Sequence, residues 1–259
     1  NRKGITKIAL VGKYTELADS YKSVNEALVH AGIHNKTEVE IEYFDSQDFN
    51  NGVTKFRPQG ILIPGGFGGR GIDGMINVAK FARTKNIPFF GICLGMQVAV
   101  IEFARNVLKI DADSTEFDKK TPNPVIALIT EWMDEDGLIH TRSERSEKGG
   151  TMRLGAYKCA IKRGTRLYSA YKETKITERH RHRYEFNNKY LKRLEKDGLI
   201  FSGVNPDLKV VEAIEIPGNS WYVATQYHPE LKSRINKAHP LFREFIKAAK
   251  TLKLNHVNQ

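Results

Sequence analysis

A thiol, an imidazole and a carboxylate are the groups from which a nucleophilic centre is built, and this sequence presents each in a patterned setting. Cys93 stands in Gly91-Ile92-Cys93-Leu94-Gly95, a G-x-C-x-G pentapeptide whose small flanking residues permit a sharp turn from strand to helix. Such a turn lifts the sulfur out of the sheet and sets it at a helix N-terminus, where free N–H groups and the helix dipole favour a thiolate. The N–H of the following residue, Leu94, is then available to an oxyanion. His228 closes an apolar run in Gln226-Tyr227-His228-Pro229-Glu230. In an extended segment residues i and i+2 share a side, so the Glu230 carboxylate can reach the ring and fix its tautomer. Each motif alone has a plain reading, a small buried hydrophobe for Cys93 and a strand-closing histidine for His228. Together they point to a nucleophile, a base and an orienting carboxylate.

Such a constellation needs a sheet to hold it. Strand-type apolar runs at Lys7–Gly12, Val39–Phe44, Gly60–Gly66 and Ile87–Cys93 alternate with segments of helical spacing. The latter lie within Ser20–Ile33, at Asp73–Lys85 and from Leu94 to about Leu108. This rhythm predicts an α/β fold with a mostly parallel sheet flanked by helices, and active sites in such sheets lie at the carboxyl ends of the strands, where Cys93 would stand. The second half is less regular. Strands are expected at Val125–Thr130, Leu199–Asn205, Val210–Ile216 and Trp221–His228, and helices at Asn188–Lys196 and from Leu241 to about Leu252. The polar stretches Asp111–Pro124 and Arg142–Gly150 read as loops, and the last five residues as a fraying tail.

A length of 259 residues with 40% apolar content suffices for one large α/β domain, and no linker-like stretch divides it, so residues 1–259 are read as a single domain. Two cysteines, Cys93 and Cys159, make no disulfide framework and no CxxC or histidine-rich ligand cluster, so neither a bound metal nor a secreted scaffold is indicated. A cytoplasmic setting is the default, with no export signal and no membrane span in view. The chain begins at Asn1, as expected of a fragment or processed product. The formal charge of +11 invites a nucleic-acid reading, but it is spread along the chain, with one dense run, RHRHRY from Arg179. A solvated basic face is the plainer reading.

Gly66–Gly71 fits the G-x-G-x-x-G pattern of a dinucleotide loop. That loop requires an acidic residue about 20 positions on, and a thiol stands there instead.

GGFGGRG, GICLGMQ, STEF, RSERSEKGGTMRLG, ERHRHRYEFN and QYHPE, in that order, resemble the C-terminal glutaminase domain of CTP synthases, within the class-I (triad) glutamine amidotransferases. The resemblance runs over nearly the whole chain and implies flavodoxin-like layers. It implies Cys93 as nucleophile, His228 as base and then acid, and Glu230 as orienting carboxylate. Gly66 and Leu94 would supply oxyanion N–H groups, with Gly95, Met96, Gln97, Glu116 and Arg183 around glutamine. A zwitterionic amino acid needs a cation for its carboxylate and an acceptor for its ammonium, which suits Arg183 and Glu116. Alternation would set Arg179, Arg181 and Arg183 on one face. The resemblance further implies no cofactor in this domain, with ATP, Mg and UTP on an amidoligase (synthase) domain absent from this chain. GTP would act as activator, the RSERSEKGGTMRLG loop would lie near the domain interface, and the full-length enzyme would be a homotetramer. The alternatives are a γ-glutamyl hydrolase of the same fold and a basic nucleic-acid-binding module.

Overall fold

In the computed structural model, residues 4–13, 21–128, 131–133, 139–141 and 152–252 are described. The chain opens with β1 (Ile5–Gly12), α1 (Lys22–His34), β2 (Glu38–Asp45), α2 (Phe49–Phe56), β3 (Gly60–Ile63), α3 (Ile72–Thr84), β4 (Phe89–Ile92) and α4 (Leu94–Asn106). It continues through β5 (Ala112–Ser114), β6 (Asn123–Leu128), β7 (Glu131–Met133), β8 (Ile139–Thr141), β9 (Arg153–Ile161), α5 (Arg166–Tyr171), β10 (Lys175–His182) and β11 (Tyr184–Phe186). The last elements are α6 (Leu191–Lys196), β12 (Ile200–Val204), β13 (Val211–Glu215), β14 (Tyr222–Thr225) and α7 (Pro240–Thr251).

The main sheet has the order β10-β9-β12-β13-β14-β4-β3-β1-β2. From β14 to β2 every pairing is parallel, and from β14 to β10 every pairing is antiparallel. This is the parallel sheet with a partly antiparallel second half that the sequence predicts. β3 and β4 are buried along their whole length because helices cover both faces. α2, α3 and α4 pack on one face, with Ile76, Ala79, Val98 and Ile101 in its core, and the small β11-β6-β5 sheet extends this layer. α1, α5 and α7 cover the other face through Leu28, Leu167, Phe242 and Phe245. The edges are charged: Glu38, Glu40 and Glu42 alternate outward on β2, and Lys175, Arg179 and Arg181 are exposed on β10, which guards both edges against pairing with another chain. Among the described residues no helix is long and apolar enough to cross a membrane.

Three sequence expectations need correction. The strand read over Gly60–Gly66 ends at Ile63, because the glycines beyond it turn over the site. Asp111–Pro124 is not all loop, since Ala112–Ser114 pairs in parallel with β6. β9 and β10, which form a long antiparallel pair, and α2 were not anticipated. Arg142–Gly150, read as a loop, lies outside the described residues.

Candidate active site

The turn from β4 into α4 is the local structure on which the site depends. Cys93 is the cap residue of α4 and holds φ +53°, ψ −100°, a left-handed conformation that a side-chain-bearing residue adopts only under constraint. Its neighbours supply that constraint. A Cβ on Gly91 would lie 2.7 Å from the carbonyl of Gly95, and one on Gly95 would lie 2.2 Å from the carbonyl oxygen of Ile63. The Cys93 N–H donates to the Thr225 carbonyl at 2.7 Å, tying the turn to β14. The Cys93 carbonyl accepts from the N–H groups of Met96 and Gln97 at 3.1 and 3.2 Å, while those of Leu94 and Gly95, in the first turn, have no acceptor within the helix.

His228 follows β14, and its N–H donates to the Arg179 carbonyl of β10 at 2.8 Å. Its Nδ1 lies 2.7 Å from Oε1 of Glu230. The route differs from the sequence expectation: Pro229 opens a 3₁₀ turn over Pro229–Lys232, so the carboxylate reaches the ring by curling back, not by extended alternation. Nδ1 is thereby committed, which leaves Nε2 for the sulfur. Burial works against a charged ring, but the Cys93 thiolate and Glu230 outweigh it and raise the His228 pKa to about 11.

Cys93 opens into a cavity of about 380 Å³ whose walls include Gly66, Gln97, Glu116, Arg181 and Arg183. Gln97 Nε2 donates to the Tyr184 carbonyl at 2.9 Å, which fixes the mouth of α4 against β11. Glu116 accepts the Gly68 N–H at 2.8 Å. A second cavity of about 390 Å³, on the Glu230 side, also reaches Cys93.

The structure thus brings Cys93, His228 and Glu230 together, and sets Gly66, Gln97, Glu116 and Arg183 around one cavity with Cys93. Leu94 and Gly95 contribute through the helix turn. Met96 does not join them, since its side chain is fully buried in the core and its N–H is bound to Cys93. Arg179 and Arg181 alternate outward on β10, which ends at His182; Arg181 and Arg183, the latter just past that end, line the cavity, while Arg179 is exposed and does not. The other cysteine, Cys159, is buried away from the site, and burial pushes its thiol above the usual range. Among the described residues no group of three or more His, Cys, Asp or Glu is placed to hold a metal ion.

Three contributors escaped sequence reading. Gln226 donates to the Cys93 sulfur at 3.7 Å and accepts from Gln97 at 3.3 Å. Lys13, the residue after β1, grips the glycine loop; its place at the carboxyl end of a parallel strand was the available signal. Arg153 bridges the buried carboxylates of Glu185 and Glu212 at 2.8 and 2.7 Å behind the arginine-bearing strand.

The family described as glutamine amidotransferase class-I matches residues 16–248. Among solved structures, the glutaminase domain of Trypanosoma brucei CTPS with bound acivicin is 37% identical, covers 96% of this chain and 95% of its own, and superposes with a TM-score of 0.84. A Thermoplasma acidophilum protein, named for GMP synthase, is 16% identical over 95% of this chain and 94% of its own, with a TM-score of 0.56. A glutamine amidotransferase from Thermotoga maritima is 9% identical over 98% of this chain and 99% of its own, at a TM-score of 0.50. The last two are similar in fold alone.

Proposed function

The chain belongs to the class-I glutamine amidotransferase family, and we propose that it is the glutaminase domain of a CTP synthase, with Cys93 as its nucleophile. The observation that carries this reading is the His228–Glu230 bond of 2.7 Å beside a cysteine held at the head of α4.

Glutamine enters the Arg183–Glu116 cavity with its carboxylate toward the guanidinium and its ammonium toward the glutamate, which directs the side-chain amide at Cys93. The thiolate attacks the amide carbon, and the oxyanion rests on the Gly66 and Leu94 N–H groups. His228 gives its Nε2 proton to the departing nitrogen, the C–N bond breaks, and ammonia leaves a γ-glutamyl thioester on Cys93. Water then attacks, His228 taking its proton, and glutamate departs as the thiolate reforms. Glu230 holds the ring in orientation and tautomer throughout. The ammonia serves the conversion of UTP to CTP on a synthase unit that takes ATP and Mg, with GTP as activator. The RSERSEKGG segment, which the family resemblance sets near that interface, lies outside the described residues.

The test is ammonia release from free glutamine by this chain, joined with mass spectrometry after exposure to acivicin. Turnover that is lost in Cys93→Ala, and one adduct on Cys93 with none on Cys159, is the expected result. Activity surviving Cys93→Ala would end the reading. Preference for γ-glutamyl peptides over free glutamine would move the site to the hydrolase class.

A further inference from the structure

We propose that Lys13 is a positioning residue, holding the glycine loop in the shape that presents the Gly66 N–H to the oxyanion; this rests on the glutaminase reading above. Lys13 follows the last residue of β1 and is only 3% exposed, an unusual place for an ammonium group. Its Nζ donates to the carbonyl of Phe67 at 3.0 Å and also to the carbonyl of Gly68. The Gly68 N–H, in turn, donates to Glu116 at 2.8 Å. The Phe67–Gly68 peptide is therefore gripped at both poles, its carbonyl by Lys13 and its N–H by Glu116.

That grip has work to do. Gly68 sits at φ +78° with nothing within 4 Å of where a Cβ would be, so at this residue the loop has a glycine's backbone freedom and no packing to restrict it. Rotation there would redirect the chain that carries Gly66. The loop also answers Lys13, because Arg70 donates to the Lys13 carbonyl, and the two segments are cross-tied in both directions. Glu116 is the carboxylate assigned to the substrate ammonium. When glutamine arrives and draws on that carboxylate, Lys13 becomes the main hold on the peptide.

Burial, with Arg70 adding to it and Glu116 opposing, brings the Lys13 pKa down to about 8. Besides those two charges, the Tyr21 hydroxyl accepts the Lys13 N–H at 3.1 Å, and the Phe117 ring stands 5.8 Å from Nζ.

The experiment compares wild type with Lys13→Met by steady-state glutaminase kinetics and by the rate at which iodoacetamide alkylates Cys93, a displacement that needs the thiolate but no oxyanion donor. Loss of a whole donor costs roughly 10²–10³ in kcat, so a loosened one is expected to cost about 10–100-fold, with KM and the alkylation rate nearly unchanged. A folded Lys13→Met with wild-type kcat would overturn the proposal, as would an alkylation rate that falls in step with kcat, which would put Lys13 behind the thiolate instead. If Lys13→Met does not fold, the wild-type pH profile decides. A fall in kcat above about pH 8, where the alkylation rate does not fall, supports the proposal, because His228 remains charged there; kcat that stays level to pH 9.5 overturns it. A wild-type chain inert to glutamine would instead sink the glutaminase reading and this inference with it.

Discussion

A Cβ on Gly95 would lie 2.2 Å from the carbonyl oxygen of Ile63, so the first turn of α4 rests directly on the end of β3. The glycine is thus a requirement of the nucleophile's position, since a methyl group there must push α4, and Cys93 with it, away from the sheet. Gly95→Ala is expected to cost about 1–3 kcal/mol of stability by overpacking, and to lower glutaminase kcat further than that loss explains. Gly218→Ala, where nothing lies within 4 Å, should change stability by less than about 0.5 kcal/mol. Denaturant unfolding and steady-state rates on the two variants check this; equal effects would mean that the close approach at Gly95 relaxes freely.

The Cys93–His228 pair makes a second prediction. The folded-state pKa of His228, about 11, lies above its ordinary value of 6.5, so its charge contributes stability in full below about pH 6.5 and loses it as pH rises toward 11. Burial alone would lower that pKa, and the sulfur is the chief opposing cause. In Cys93→Ala only Glu230 opposes burial, and the ring should titrate well below its wild-type value. A ring-proton NMR titration of both proteins reads this directly, and an unchanged pKa would show that the sulfur does not carry the charge assigned to it.

How much of this was legible in the sequence follows from the range of the interactions. The elbow and the His-Pro-Glu turn are local, and their residue types are dictated within five positions, so Cys93, His228 and Glu230 could be read directly. The parallel half of the sheet was legible because β1 from Ile8 to Val11, β3 and β4 are continuous apolar runs. β9 and β10 were hidden because their inward faces carry Arg153, Glu178, His180 and His182, which look like surface residues until buried partners satisfy them. Lys13 was hidden for the same reason, its partners being carbonyls more than fifty residues away. The arginine run was legible in part: Arg179 and Arg181 alternate outward on β10 as expected, but that Arg181 and Arg183 line the cavity and Arg179 does not depends on where the strand ends, one residue before Arg183.

That stop leads to a kinetic prediction. Arg183 lines the cavity with Glu116 and Cys93, whereas Arg179 is exposed and engages His228 only through its backbone carbonyl. A charge-assisted contact to the glutamine carboxylate is worth roughly 1.5–3 kcal/mol, so Arg183→Ala should raise KM by about 10–100-fold. Arg179→Ala leaves the carbonyl in place and should alter KM by less than about twofold. Equal, small effects on KM would remove Arg183 from substrate recognition.

The buried cluster behind that strand sets the response to acid. His180 Nδ1 lies 2.9 Å from His182 Nε2, and both rings are almost wholly enclosed. Burial first, and then the nearby Arg153 guanidinium, hold both pKa values below the usual histidine range, even though His180 faces Glu212 at 3.4 Å. The folded protein therefore keeps the rings neutral where the unfolded chain would protonate them. Stability is fully present above about pH 6.5 and falls as pH drops through that value, with a limiting slope of roughly 2.7 kcal/mol per pH unit for two rings. Glu212 works the other way: its carboxyl is raised from 4.5 to about 6 by burial, so the folded state takes up that proton first and offsets part of the loss between pH 6 and 4.5. His228 and Glu212 also titrate in this range, so the cluster is read as a difference: below about pH 6.5 the wild type should lose unfolding free energy relative to His182→Gln, which has one fewer ring to protonate when unfolded. Gln cannot take a proton, so the difference should widen steadily from pH 6.5 to 5. A wild-type-minus-variant difference that stays level from pH 7.5 to 5 would mean that the cluster opens to admit protons, and that the wall carrying Arg183 is looser than its packing implies.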